Sequence, residues 1–145
     1  MRLNKFMAKF VTVRVEEINA KEVVEQLVID DKKQLHVFQE ALKGTTYLSE
    51  YKTILKYIEY LADGNTLPEA KFRHLKGVTD GITEYEFKSK HLRIYAIQFP
   101  LKKIVIFLGY KNTQDKDIAE FRSLKAEFIA QKKQDNEKKR TTQKP

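Results

Sequence analysis

The chain contains no cysteine, which excludes a disulfide framework and any zinc site built on thiolates. Histidine is scarce as well. His36, His74 and His91 stand far apart and lack the short spacings that hold a metal. No apolar run approaches the roughly 20 residues of a membrane-spanning helix. Arg2 and Lys5 precede the stretch Phe6 to Val15, but Lys9, Thr12 and Arg14 interrupt it, so it makes a poor signal peptide. These absences predict a cytoplasmic protein with no metal site and no membrane segment. Acids are outnumbered by bases, 20 against 28, which leaves a net charge of +8. A balance of this size suits an acidic partner such as nucleic acid, and equally an ordinary positive surface.

With 145 residues and 41% hydrophobic content, the chain is long enough for one domain with a real core. Residues 9 to 18 alternate and are rich in β-branched side chains, which predicts a first strand, and Val23 to Ile29 predicts a second. Asp30 and Asp31 read as the N-cap of a short helix whose Leu35, Phe38, Ala41 and Leu42 share a face, and Gly44 ends it. Ser49 reads as the N-cap of a longer helix, with Tyr51, Ile54, Leu55, Ile58, Leu61 and Ala62 at helical spacing before Gly64 and Asn65.

From Glu84 the hydrophobic period becomes two. Glu84 to Ser89, Leu92 to Phe99 and Lys103 to Tyr110 predict a three-stranded meander with short turns. Ile118, Phe121, Leu124 and Phe128 then mark an amphipathic C-terminal helix. From Lys132 onward six bases face two acids, which reads as a disordered basic tail. The fold class expected is α+β. An antiparallel sheet, made of the C-terminal meander plus an N-terminal strand or hairpin, is packed by two N-terminal helices and a C-terminal helix.

Bases and aromatics gather around the meander. Arg93 lies inside an apolar strand, where a charge is costly unless it is paired or faces a cleft. Lys88, Lys90 and His91 adjoin it in sequence, and Phe72-Arg73-His74-Leu75-Lys76-Gly77 forms a basic turn upstream. An arginine fork suits phosphate oxygens; the structural alternative is a cross-strand pair with Glu84 or Glu86. Lys88 and Lys111 are candidate phosphate contacts or solvated strand-end lysines. Tyr95 and Tyr110 are candidate proton donors or stacking platforms, or else packing residues. His91 is the nearby side chain that titrates near neutrality, or an exposed turn residue. Arg73, His74, Lys76 and Lys90 are candidates to track an RNA backbone. His36 reads as structural.

Four segments resemble the RelE/HigB-like toxin superfamily, on its phage-associated HigB side. His74-Leu75-Lys76-Gly77 is similar to the family's Leu-Arg/Lys-Gly turn, and Tyr85-Glu86-Phe87-Lys88 to its Tyr-Glu-Leu-Arg strand. Leu92-Arg93-Ile94-Tyr95 is similar to the Tyr-Arg-Ile strand, and Lys111-Asn112-Thr113-Gln114 to the opening of the last helix. The resemblance covers about Val24 to Ala130, so residues 1–23 are expected to be a strand extension, 24–130 the toxin domain and 131–145 the tail. It implies the toxin of a type II toxin–antitoxin system: a ribosome-dependent mRNA endoribonuclease that needs no metal or cofactor and cleaves through the ribose 2′-hydroxyl. Arg93, Lys88, Lys111, Tyr95, Tyr110 and His91 would be its catalytic candidates. It implies ribosome and mRNA as targets and a cognate antitoxin, expected to be a helix-turn-helix protein. Glu84 and Glu86 stand where the best-known RelE-type toxins carry two lysines. Two alternatives therefore stay open: a ParE-like, non-enzymatic gyrase binder, and an inactive relative that binds RNA or protein.

Overall fold

The alternating residues at the N-terminus form a hairpin-like pair in the computed structural model, which describes residues 8–143, with side chains through 139. Arg2 and Lys5 lie outside the described residues, as do the last two residues of the tail. Strand β1 (Phe10–Arg14) runs antiparallel to β2 (Val23–Ile29), with Phe10 opposite Ile29 and Arg14 opposite Glu25. The expected N-terminal extension is thus an edge strand of the main sheet.

Asp30 and Asp31 do not cap a helix. Both have positive φ, 49° and 68°, which short polar side chains tolerate. They make the two-residue turn of a hairpin from β2 into β3 (Lys32–Lys33). Helix α1 (Gln34–Leu42) starts after it, and its Leu35 amide donates to Gln26 Oε1 at 3.0 Å. Helix α2 (Tyr47–Ala62) begins two residues before the predicted Ser49 cap, and its buried stripe is Tyr51, Ile54, Leu55, Ile58 and Ala62. Gly44 and Gly64, at φ 78° and 91°, stand just past the two helix ends, where the left-handed conformation closes a helix.

The basic turn at residues 72–77 is in part a strand. Phe72–His74 forms β4, which pairs with β5 (Glu84–Lys88). Strands β6 (Leu92–Phe99) and β7 (Lys102–Tyr110) complete the expected meander. The sheet is mixed rather than antiparallel, because β2 lies parallel to β7, with Val23 opposite Lys102 and Gln26 opposite Val105. Its order is β1-β2-β7-β6-β5-β4, and β3 pairs with β2 off that path. Parallel neighbours need a long crossover, here the whole segment from β3 through β6.

Side chains alternate across a strand, and the two faces serve different helices. One face carries Val24, Phe87, Leu92, Ile94, Ala96 and Val105 against Leu35, Leu42, Ile54 and Ile58 of α1 and α2. The other carries Leu27, Tyr95, Ile97, Ile104 and Ile106 against Phe121 and Phe128 of the last helix. A register shift between Tyr95 and Ala96 leaves Ile106 as an extra residue in β7, so Ile106 and Phe107 both join the second core.

Helix α3 (Gln114–Gln143) follows a short 3-10 turn, Lys111–Thr113. It does not stop near Lys132, so the disorder expected there gives way to helix through residue 143. Lysine, glutamine, glutamate and arginine are good helix formers, and extending an existing helix avoids the cost of nucleation. Gln131 anchors this helix to the sheet edge: its Oε1 accepts from the Phe10 amide at 2.7 Å and its Nε2 donates to the Ala8 carbonyl at 2.9 Å. Beyond it, residues 132–139 are exposed.

Candidate functional site

The sheet separates the sequence candidates. Lys88 and Arg93 are register partners, and Arg73 and Tyr95 each lie opposite Glu86; by alternation all four share the face that α3 covers. His91 and Tyr110 lie toward α1 and α2, beside Tyr47.

On the α3 face Arg73, Arg122 and Lys125 all meet acids. Glu84 pairs with both Arg122 and Lys125 at 2.9 Å, and Lys125 also reaches Asp80 at 2.9 Å. Glu86 accepts from Arg73 Nε at 2.6 Å and from Gln114 at 2.7 Å. Glu84 and Glu86 therefore bind α3 and β4 to the neighbouring strands. Neither pairs with Arg93. Arg93 is 7% exposed; its Nη1 donates to the Ser89 carbonyl at 2.6 Å and the Leu92 carbonyl at 2.8 Å. Tyr95 has no exposed surface and stacks on Phe121 at 5.4 Å between centroids. Burial, with Glu86 beside it, pushes its phenol far above the ordinary value, so it stays protonated and packed. Neither Arg93 nor Tyr95 lies open to a phosphate, and Lys88 is half-buried beside them.

Among the RNA-tracking candidates, Arg73 is held by Glu86, and the His74 ring packs on Phe72 and Tyr85 at 5.2 and 5.0 Å. Lys76 is exposed, and its carbonyl accepts from Arg122. Lys90 is exposed in the β5–β6 turn.

The open chemistry sits on the other face, where the β5–β6 turn, the end of β7 and the start of α2 meet. A hollow of about 280 Å³ is lined by Tyr47, His91, Tyr110, Lys111 and Asn112. Three catalytic candidates, His91, Tyr110 and Lys111, thus come together. The Lys111 amide donates to the His91 carbonyl at 2.8 Å, which ties the start of the 3-10 turn to the hairpin. Tyr47 lies 5.0 Å from the His91 ring and 6.0 Å from that of Tyr110. Tyr110 in turn packs on Phe38 of α1 at 5.8 Å.

Glu50, in the first turn of α2, organises this corner. It accepts from the Ser89 hydroxyl at 2.5 Å, the His91 amide at 2.9 Å and His91 Nδ1 at 2.7 Å. Burial, the largest single influence, pushes its carboxyl up; the bonds from Ser89 and from the ring and amide of His91 together outweigh it and hold the group below its ordinary value. An ionised Glu50 can only accept, so Nδ1 carries a proton; in a neutral ring the lone pair then lies on Nε2. The His91 side chain is 43% exposed. A carboxylate that orients a half-exposed imidazole is an arrangement that can serve general acid–base chemistry.

Sequence reasoning missed Glu50 and Tyr47. Glu50 lies 41 residues from His91, and its place in a first helical turn signals only a favourable helix dipole. A larger hollow of about 500 Å³, lined by Glu17, Ile18, Gln39, Tyr51, Leu55 and Lys56 among others, contains no comparable acid–base pair. Among the described residues no group of three or more His, Asp or Glu side chains is placed to hold a metal, and no helix is long and apolar enough to cross a membrane. A scan against protein-family models found no match, and searches of curated proteins and of solved structures likewise returned no significant match.

Proposed function

We propose that this chain is a RelE/HigB-like toxin of a type II toxin–antitoxin system, acting as a metal-independent endoribonuclease on ribosome-bound mRNA, with His91 rather than Arg93 at its catalytic centre. The succession β2, helices α1 and α2, strands β5 to β7 and helix α3 follows the order the resemblance implies, with β1, β3 and β4 added to it, and supports the family reading. The observation that carries the chemistry is the Glu50–His91 pair opening on a hollow shared with Tyr47, Tyr110 and Lys111.

Each group has a role in attack by a ribose 2′-hydroxyl on its own 3′-phosphate. His91 Nε2 takes the 2′-hydroxyl proton while Glu50 stabilises the imidazolium that forms. The Lys111 ammonium offsets the charge that grows on the phosphate. The P–O5′ bond breaks, the Tyr110 hydroxyl supplies a proton to the departing 5′-oxygen, and a 2′,3′-cyclic phosphate remains. Tyr47 is a stacking surface for an unpaired base. A base stacked there must be out of a duplex, which suits mRNA laid through a ribosomal channel. A cognate antitoxin would neutralise the toxin by covering this corner.

Induced expression in a bacterial host tests the reading. The expected result is rapid arrest of protein synthesis with DNA supercoiling unchanged, and relief of the arrest by His91→Ala. Arrest accompanied by a gyrase block, or unrelieved by that substitution, would overturn it.

A further inference from the structure

The Ser89–Leu92 turn, which carries His91, is held from both sides of the sheet. On the α2 side Glu50 binds the Ser89 hydroxyl and the His91 amide and ring. Ser89 Oγ also accepts from the Leu92 amide at 3.1 Å. On the α3 side the Arg93 guanidinium gathers the Ser89 and Leu92 carbonyls onto one nitrogen. Arg93 is buried, and among the described residues it forms no ion pair with a carboxylate; its Nε has no partner at all. A buried cation without a counter-ion is costly, and the bonds it does make all go to this turn.

We infer that Arg93 is a positioning residue. It fixes, from the opposite face of the sheet, the turn geometry that delivers the His91 ring to Glu50. This rests on the proposed nuclease site but assigns the arginine differently from a direct phosphate contact. An arginine that meets RNA must present its fork to solvent, whereas here two carbonyl oxygens one turn apart occupy the donor. Its removal should loosen the turn, so that His91 Nδ1 spends less time on Glu50 and the ring samples both neutral tautomers. Substrate affinity, carried by Tyr47, Tyr110 and Lys111, should change little.

The test uses the full chain with ¹⁵N-labelled histidine, comparing the natural protein with Arg93→Met and Arg93→Lys. Ring-nitrogen NMR above the imidazole titration reads the tautomer without substrate, and circular dichroism confirms that each variant is folded. Arg93→Lys keeps a donor and serves if Arg93→Met does not fold. The expected result is a His91 Nδ1–H tautomer in the natural protein and a mixture in Arg93→Met, with partial recovery in Arg93→Lys. In ribosome-dependent cleavage, kcat should fall about tenfold or more, as loss of general-base geometry does, while KM changes less than about twofold. An unchanged tautomer with a raised KM would overturn the inference and make Arg93 a phosphate contact. If the natural protein cleaves nothing, the nuclease reading fails, and the tautomer comparison still decides whether Arg93 positions His91.

Discussion

Replacing Glu50 by glutamine keeps the shape of the side chain and removes its charge. Three bonds lose charge assistance: those from the Ser89 hydroxyl, the His91 amide and His91 Nδ1. A bond to a charged group is worth about 1.5–3 kcal/mol against about 1 for a neutral one. The corner is partly open, with Glu50 at 21% and His91 at 43% side-chain exposure, so solvent takes back part of the difference. The expected loss is about 1–2 kcal/mol near pH 7, or a fall in Tm of about 3–8 °C for a domain of this size. The sign with pH is fixed by the depressed carboxyl. Because Glu50 sits below its ordinary value of 4.5 when folded, its contribution is complete above that value and is lost as the pH falls through the folded one. The gap between Glu50→Gln and the natural protein should therefore narrow on acidification, as read by thermal melts from about pH 7 to about pH 3. The effect on cleavage should be larger than the effect on stability. A glutamine NH₂ facing Nδ1 forces the proton onto Nε2 and removes the base, at a cost on the order of 10²–10⁴ in kcat. A variant as stable as the natural protein at neutral pH, or a gap that does not change with pH, would refute the role given to Glu50.

Two further substitutions probe how α3 is seated. A methyl at Gly109 would fall 2.0 Å from Asp117 Oδ2, so Gly109→Ala should cost about 2 kcal/mol or more by urea denaturation, and adding Asp117→Ala should recover part of it. Lys125 is 2% exposed and donates to Asp80, Glu84 and the Ile82 carbonyl, so Lys125→Met should cost about 3 kcal/mol, the low end for breaking a buried pair because Arg122 remains on Glu84. A loss under about 1 kcal/mol would show that the network is not what holds α3 to the sheet.

The parts of the fold that were legible in the sequence are those set by local periodicity. The stripe from Tyr51 to Ala62 sits on one helical face and is buried there, and the alternation from Leu92 to Val105 places its residues on the two cores as a period of two demands, until the bulge sets Ile106 and Phe107 on the same side. The parallel contact of β2 with β7 was not legible, because pairing Val23 with Lys102 depends on packing between segments far apart in sequence. The helix after Lys132 was not legible, because an exposed helical extension and a disordered tail share one composition. At the candidate site, His91, Tyr110 and Lys111 stand out in the sequence because chemistry-bearing residues crowd the strand ends, and the structure brings the three to one hollow. The burial of Arg93 was not legible, because the acids beside it on β5, Glu84 and Glu86, meet bases from α3 and β4 that lie far off in sequence. The Glu50–His91 pair spans two elements that no short-range pattern connects.

The most direct measurement is cell-free translation with the purified protein, mapping mRNA 5′ ends by primer extension, with His91→Ala in parallel. The proposal predicts new 5′ ends that require ribosomes, form without added metal beyond that of the translation mixture, and vanish with His91→Ala. Intact mRNA at high protein concentration, or new ends that persist in the variant, would contradict a nuclease centred on the Glu50–His91 pair.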